Sequence, residues 1–289
     1  KVRIYKMKID KLGQYVKTSK LVVVSDNLKI RMSEEIFKNY ENGEYDEAIE
    51  SVKEYVKEIE SVKIKYPGRA NPIFYIYVVP NEIFMELLNF PHNVSGGGRP
   101  VPSYDIDGFS TAHGISENVL KIIPKTISWK VNYIHELAHN IQSMFFNKGR
   151  YFCEGFAEAF PLYVLGYEEK FEEHRMLLKE LDENQILTIN ELIELDKNND
   201  FYGNKIKDGS CSFEIAYISS YLFVRGYLEK LRGKYNYNKV EATQKFLEIM
   251  WATGYQNQFL VWHLADEIEL DREELLNGKE LQMEVLKNL

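Results

Sequence analysis

His135-Glu136-Leu137-Ala138-His139 constrains this chain more than any other feature, because it asks for a helix and a chemistry together. Residues four apart on an α-helix lie nearly one above the other, so two imidazoles at that spacing can reach one metal ion. Glu136, one step round the helix, then faces the water such an ion binds and can take its proton. With six histidines in 289 residues, the pattern should arise by accident in roughly one such chain in a hundred. The flanking residues fit a helix. Ser128 can cap its start, Val131, Ile134, Leu137, Ala138, Ile141, Met144 and Phe145 form an apolar stripe, and Gly149 suits its C-terminal cap.

A zinc ion that does chemistry takes three protein ligands and leaves its fourth position to water. The segment Tyr151-Phe152-Cys153-Glu154-Gly155-Phe156-Ala157-Glu158 supplies the third candidate, Glu154, on a second helix that follows a turn at Gly149. The expected cofactor is therefore one Zn2+, held by His135, His139 and Glu154. Glu158 lies one helical turn beyond Glu154 and can accept a hydrogen bond from the outward nitrogen of a ligand histidine, fixing its tautomer. Two ordinary surface glutamates at this spacing are the alternative. Pro161 should end or kink the helix, but only after Glu158.

His135 to His139 followed by Glu154-Gly155-Phe156-Ala157-Glu158 resembles the gluzincin metallopeptidases, most of all the catalytic domain of the aminopeptidase N family. That family follows His-Glu-x-x-His with an Asn-Glu-Gly-Phe-Ala-Glu run whose first Glu binds zinc. Cys153 stands where the family has Asn, and the spacing here is a few residues shorter. The resemblance implies an α+β, thermolysin-like zincin. A mixed-sheet N-terminal subdomain, 1–147, would include the metal helix, and a helical C-terminal subdomain, 148–289, would follow, with the active-site cleft between them. It also implies a zinc-dependent peptidase in which Glu136 is the general base.

Two further stretches extend the resemblance. Gly114-Ile115-Ser116-Glu117-Asn118 is similar to the Gly-x-Met-Glu-Asn signature, whose Glu holds the free α-amine of the substrate in aminopeptidases; Ser116 replaces the Met. The β-branched run Val119 to Ile123, bounded by Pro124, is the expected edge strand on which a peptide backbone would pair. Downstream, Tyr217 falls about where family members carry a tyrosine that stabilises the oxyanion of the tetrahedral intermediate. Tyr221, one turn later, is a second candidate. A different class of function keeps the same ligands: a zinc-bound but catalytically idle binding or sensor module. The intact Glu136 argues for catalysis.

A formal charge of −8 argues against nucleic acid or anionic membranes as partners, since both need clustered Lys and Arg. The longest strongly apolar run, Ile73 to Val79, is too short to span a bilayer and reads as a buried strand. A peptide or protein substrate is the expected partner, and monomer the default state. Cys153 and Cys211, the only cysteines, form no Cys-x-x-Cys pattern. They are structural thiols by default. A secreted or cell-surface setting, in which they could form a disulfide, is favoured slightly over the cytoplasm.

The coarse reading is strands first and helices after. Val2 to Ile9, Leu21 to Val24 and Leu28 to Met32 have strand composition, with a turn at Asp26-Asn27. Glu44 to Lys63 has helical periodicity, ended by Pro67-Gly68, and Pro91 to Asp107 reads as a loop. Gly96-Gly97-Gly98-Arg99 is not a phosphate loop, because no Lys-Ser/Thr follows it. From Gly166 onward the chain reads as nearly all helix, with a capping box at Thr188-Ile189-Asn190-Glu191 and a polar loop from Lys197 to Gly209. His92, His174 and His263 read as bystanders, while His113 could border the substrate strand.

Overall fold

The computed structural model describes residues 18–66, 73–82, 99–101, 112–142, 149–198, 213–252 and 257–288. The fold is α+β. The chain divides into two units after Ser143, with Val62–Ile64 grouped with the second. The expected strand Val2 to Ile9, the Pro67-Gly68 turn, most of the Pro91 to Asp107 and Lys197 to Gly209 loops, His92 and Cys211 lie outside the described residues.

The first unit is built on a mixed sheet. β1 (Lys20–Ser25) and β2 (Leu28–Met32) pair antiparallel about Asp26-Asn27, the turn the sequence predicts. β2 shows why the pleat forms: Leu28, Ile30 and Met32 are fully buried while Lys29 and Arg31 alternate with them on the other face. β3 (Phe74–Val79) runs parallel to β2 and is buried at every position, as its unbroken apolar run requires of a central strand. β4 (Arg99–Val101) and β5 (Ala112–Ser116) pair antiparallel, β5 lies parallel to β3, and the strand order is β1-β2-β3-β5-β4.

Helices complete this unit. α1 (Glu34–Glu41) is capped by Ser33, whose hydroxyl accepts from the Ile36 amide. α2 (Asp46–Ser61) buries Ala48, Val52, Tyr55, Val56 and Ile59, the stripe its periodicity predicts. The expected edge strand from Val119 is instead a helix, α3 (Glu117–Ile122), continued by a 3₁₀ turn at Ile123–Lys125. Ser116 decides this locally: its hydroxyl accepts from the Val119 amide and starts a helix where β-branched composition alone suggests a strand. β5 is an interior strand, so the substrate-pairing edge expected at Val119 to Ile123 does not exist.

α4 (Ile127–Ile141) carries the His-Glu-x-x-His pattern. Its N-cap is Thr126, not the expected Ser128, and it ends at Gln142 rather than running to Gly149. The Lys130 ammonium of α4 bonds Glu58 of α2 at 2.6 Å and lies 4.9 Å over the Tyr55 ring, tying the two helices together.

The second unit has no strand among its described residues. α5 (Arg150–Ala159) passes into a π-helical turn at Phe160–Val164, where Pro161 forbids a regular continuation. α6 (Glu172–Glu180) and α7 (Ile189–Lys197) follow, the latter opened by the predicted capping box of Thr188 and Glu191. The long α8 (Phe213–Tyr235) packs along α5, and α9 (Lys239–Ala252), α10 (Asn257–Ile268), α11 (Arg272–Asn277) and α12 (Glu280–Lys287) complete the unit. Phe152 meets Phe223 edge-on at 5.8 Å and Phe156 stacks on Phe246 at 6.0 Å, so aromatic side chains of α5 anchor the core of this unit. Among the described residues no helix is long and apolar enough to cross a membrane.

Candidate metal centre

The metal helix forms for local reasons. Thr126 accepts the Trp129 amide at 3.2 Å, and Val131, Ile134, Leu137, Ala138 and Ile141 are buried along one stripe. That packing holds His135 in the body of the helix and His139 in its last turn, both buried, with ring centroids 5.0 Å apart and the rings nearly perpendicular at 83°. α5 begins at Gly149, which serves as its N-cap at φ 103°, a conformation that favours glycine. One turn in, the helix presents Glu154, also buried.

His135, His139 and Glu154 converge. Each offers one ligand atom, and these atoms lie within 4.8 Å of one another. A tetrahedral ion with bonds of about 2.1 Å needs ligand atoms roughly 3.4 Å apart, so small side-chain adjustments close the group around one ion. The donor set fits zinc: two borderline imidazoles and one carboxylate, three ligands with a fourth position left over. Burial also fits, because a carboxylate out of water needs a cation to offset its desolvation.

His139 makes a second contact that sequence reading missed: its Nδ1 lies 2.9 Å from Oε1 of the fully buried Gln142. The signal was there, since three residues on a helix place Gln142 on the His139 face. Glu136, beside His135, is half-buried. Its carboxylate adds to burial in pushing up the Tyr133 phenol, so the two side chains share one part of the helix surface. Cys153, next to Glu154, is also buried; burial first, then the Glu154 charge, raises its thiol and keeps it protonated, unlike a metal-binding thiolate.

Glu158 is half-buried one turn after Glu154, where its charge acts on His174 of α6. His174 stays outside the metal group, but it does not sit at the polar or loop surface its sequence neighbours suggest. It is buried, stacks on Phe171 at 6.0 Å and meets the Tyr221 ring edge-on at 5.0 Å. Burial lowers its pKa, while Glu158 and Glu168 oppose that shift. The flanking sequence supplies only Phe171, and the Tyr221 contact comes from α8, far away in sequence.

Tyr217 is half-buried on α8, the helix that packs along α5. Tyr221 is fully buried, and its hydroxyl donates to Glu168 at 2.5 Å while Arg225 approaches at 3.1 Å. Held between Glu168 and Arg225, which themselves form an ion pair, the hydroxyl is unavailable to an oxyanion, which removes the second candidate. Gly114 lies in β5, paired with Tyr77 of β3 and Arg99 of β4, and His113 precedes it in the same strand. Glu117 is half-buried at the first position of α3, where it accepts from the Tyr45 hydroxyl at 3.2 Å, and Asn118 is exposed. His263 is exposed on α10.

No family model, no curated protein and no solved structure matches the chain. The functional reading therefore rests on the geometry of these side chains.

Proposed function

We propose that the protein is a zinc-dependent peptidase on a thermolysin-like, gluzincin scaffold. One observation carries the reading: His135, His139 and Glu154 come together as a buried three-ligand group, with the half-buried Glu136 directly after the first histidine. A hydrolase of this kind needs three ligands and a carboxylate to accept the water's proton, and the His135, His139 and Glu154 group with Glu136 next in sequence supports that reading.

Zinc, when bound there, supplies Lewis acidity, which lowers the pKa of water and polarises a carbonyl. The chain's own residues do the rest. Glu136 accepts a proton from the attacking water at its carboxylate, holds it, and delivers it to the departing amine nitrogen. The Tyr217 hydroxyl donates to the oxygen on which negative charge develops. Glu117 accepts the α-amine of substrates with a free amino terminus, and Gly114 and Asn118 border that subsite.

The test is cleavage of a mixed peptide library before and after chelation, with zinc added back and product ends mapped. The reading predicts cleavage abolished by chelator and restored by zinc. Loss of cleavage when the peptides are N-acetylated supports the role of Glu117, and equal cleavage removes it. No cleavage under any condition moves the assignment to a zinc-bound binding or sensor module.

A further inference from the structure

We infer that Gln142 is the positioning residue of this centre, fixing the tautomer and aim of His139. The inference rests on the metal reading above and concerns a residue that the spacing of His135, His139 and Glu154 does not point to.

An imidazole can ligate only through a nitrogen that carries no proton, and in water the neutral ring favours the proton on Nε2. A histidine that is to ligate through Nε2 must therefore be held in its less common form by a hydrogen-bond acceptor at Nδ1. Oε1 of Gln142 lies 2.9 Å from Nδ1 of His139. An amide oxygen only accepts, so the proton belongs on Nδ1, and Nε2 keeps its lone pair for an ion. Gln142 is also fully buried at the C-terminal end of α4, so water does not compete for its amide oxygen.

The choice of an amide has a chemical consequence. A carboxylate at this position, the role expected of Glu158, would bring a second negative charge to the group that already holds Glu154. Gln142 orients the ring without adding charge. The ligand set remains two neutral imidazoles and one carboxylate, so a divalent ion keeps net positive charge and its pull on electrons.

The experiment uses the full chain as wild type, Gln142→Leu and Gln142→Glu. Histidine ring nitrogens of the metal-free proteins are observed by NMR at a pH where the imidazoles are neutral, and zinc affinity is measured by competition with a chromophoric chelator. Expected are an Nδ1–H tautomer for His139 in wild type, an Nε2–H tautomer in Gln142→Leu with zinc affinity lower by roughly 10–100-fold, and recovery of both in Gln142→Glu. A wild-type His139 in the Nε2–H form, or a Gln142→Leu variant with unchanged tautomer and affinity, overturns the proposal. Wild type that shows the Nδ1–H form, loses it in Gln142→Leu and binds no zinc supports the role of Gln142 and defeats the metal reading instead.

Discussion

Gly155 faces the backbone of Ser220 so closely that an added β-carbon would come within 2.5 Å of the Ser220 carbonyl oxygen and 2.8 Å of its carbon. This contact sets how near α5 lies to α8, and the residue before Gly155 is the ligand candidate Glu154. In an unconstrained helix, Gly→Ala gains up to about 1 kcal/mol of helix propensity. Here the obstacle is backbone that cannot swing aside, and overpacking of this sort costs about 1–3 kcal/mol. Gly155→Ala should therefore lower stability in urea unfolding and weaken zinc binding with it. Equal or higher stability would show that α5 and α8 separate without strain.

Tyr133 carries a buried hydroxyl with no hydrogen-bond partner among the described residues. Leaving such a group unsatisfied costs about 1–3 kcal/mol. Tyr133→Phe is expected to leave unfolding free energy unchanged or raise it by about 1 kcal/mol, with activity retained. A loss of stability would show that the hydroxyl has a partner.

Tyr217→Phe and Tyr221→Phe separate catalysis from packing. Removing an oxyanion donor lowers kcat by about 10²–10³-fold with little change in KM, and that is the expectation for Tyr217→Phe. The Tyr221 hydroxyl serves the half-buried Glu168–Arg225 pair, so Tyr221→Phe should lower stability by about 1–3 kcal/mol and leave kcat nearly unchanged. Steady-state kinetics alongside urea unfolding reads both.

Acid should destabilise the second unit through His174. Burial depresses its folded pKa below 6.5, so the unfolded chain binds more protons as pH falls through that value. Stability is then lost from about 6.5 downward and levels off below the folded pKa. The groups facing it are Glu158 of α5, Glu168 of the 3₁₀ turn before α6, and Arg225 of α8. His174→Phe keeps the stacking on Phe171 and should flatten this part of the stability–pH curve. An unchanged slope would assign the acid sensitivity to other groups.

Much of this was legible in the chain. The ligand spacing, the β2 and α2 periodicities and the Thr188 capping box depend on local pattern, and the structure carries all of them. Val119 to Ile123 was misread because β-branched composition outweighed a single Ser116 cap, whose side-chain bond is what turns the segment helical. The engaged Tyr221, buried His174 and Gly155 contact were not legible, since each depends on a helix brought alongside from far away in sequence.

The most direct test of the metal centre and its chemistry is zinc content by mass spectrometry on purified wild type and Glu136→Gln, with peptide cleavage measured on the same samples. The account predicts one zinc per chain in both and cleavage in wild type alone, because Glu136 moves the proton and His135, His139 and Glu154 hold the ion. Absence of zinc from both, or equal cleavage by both, would contradict it.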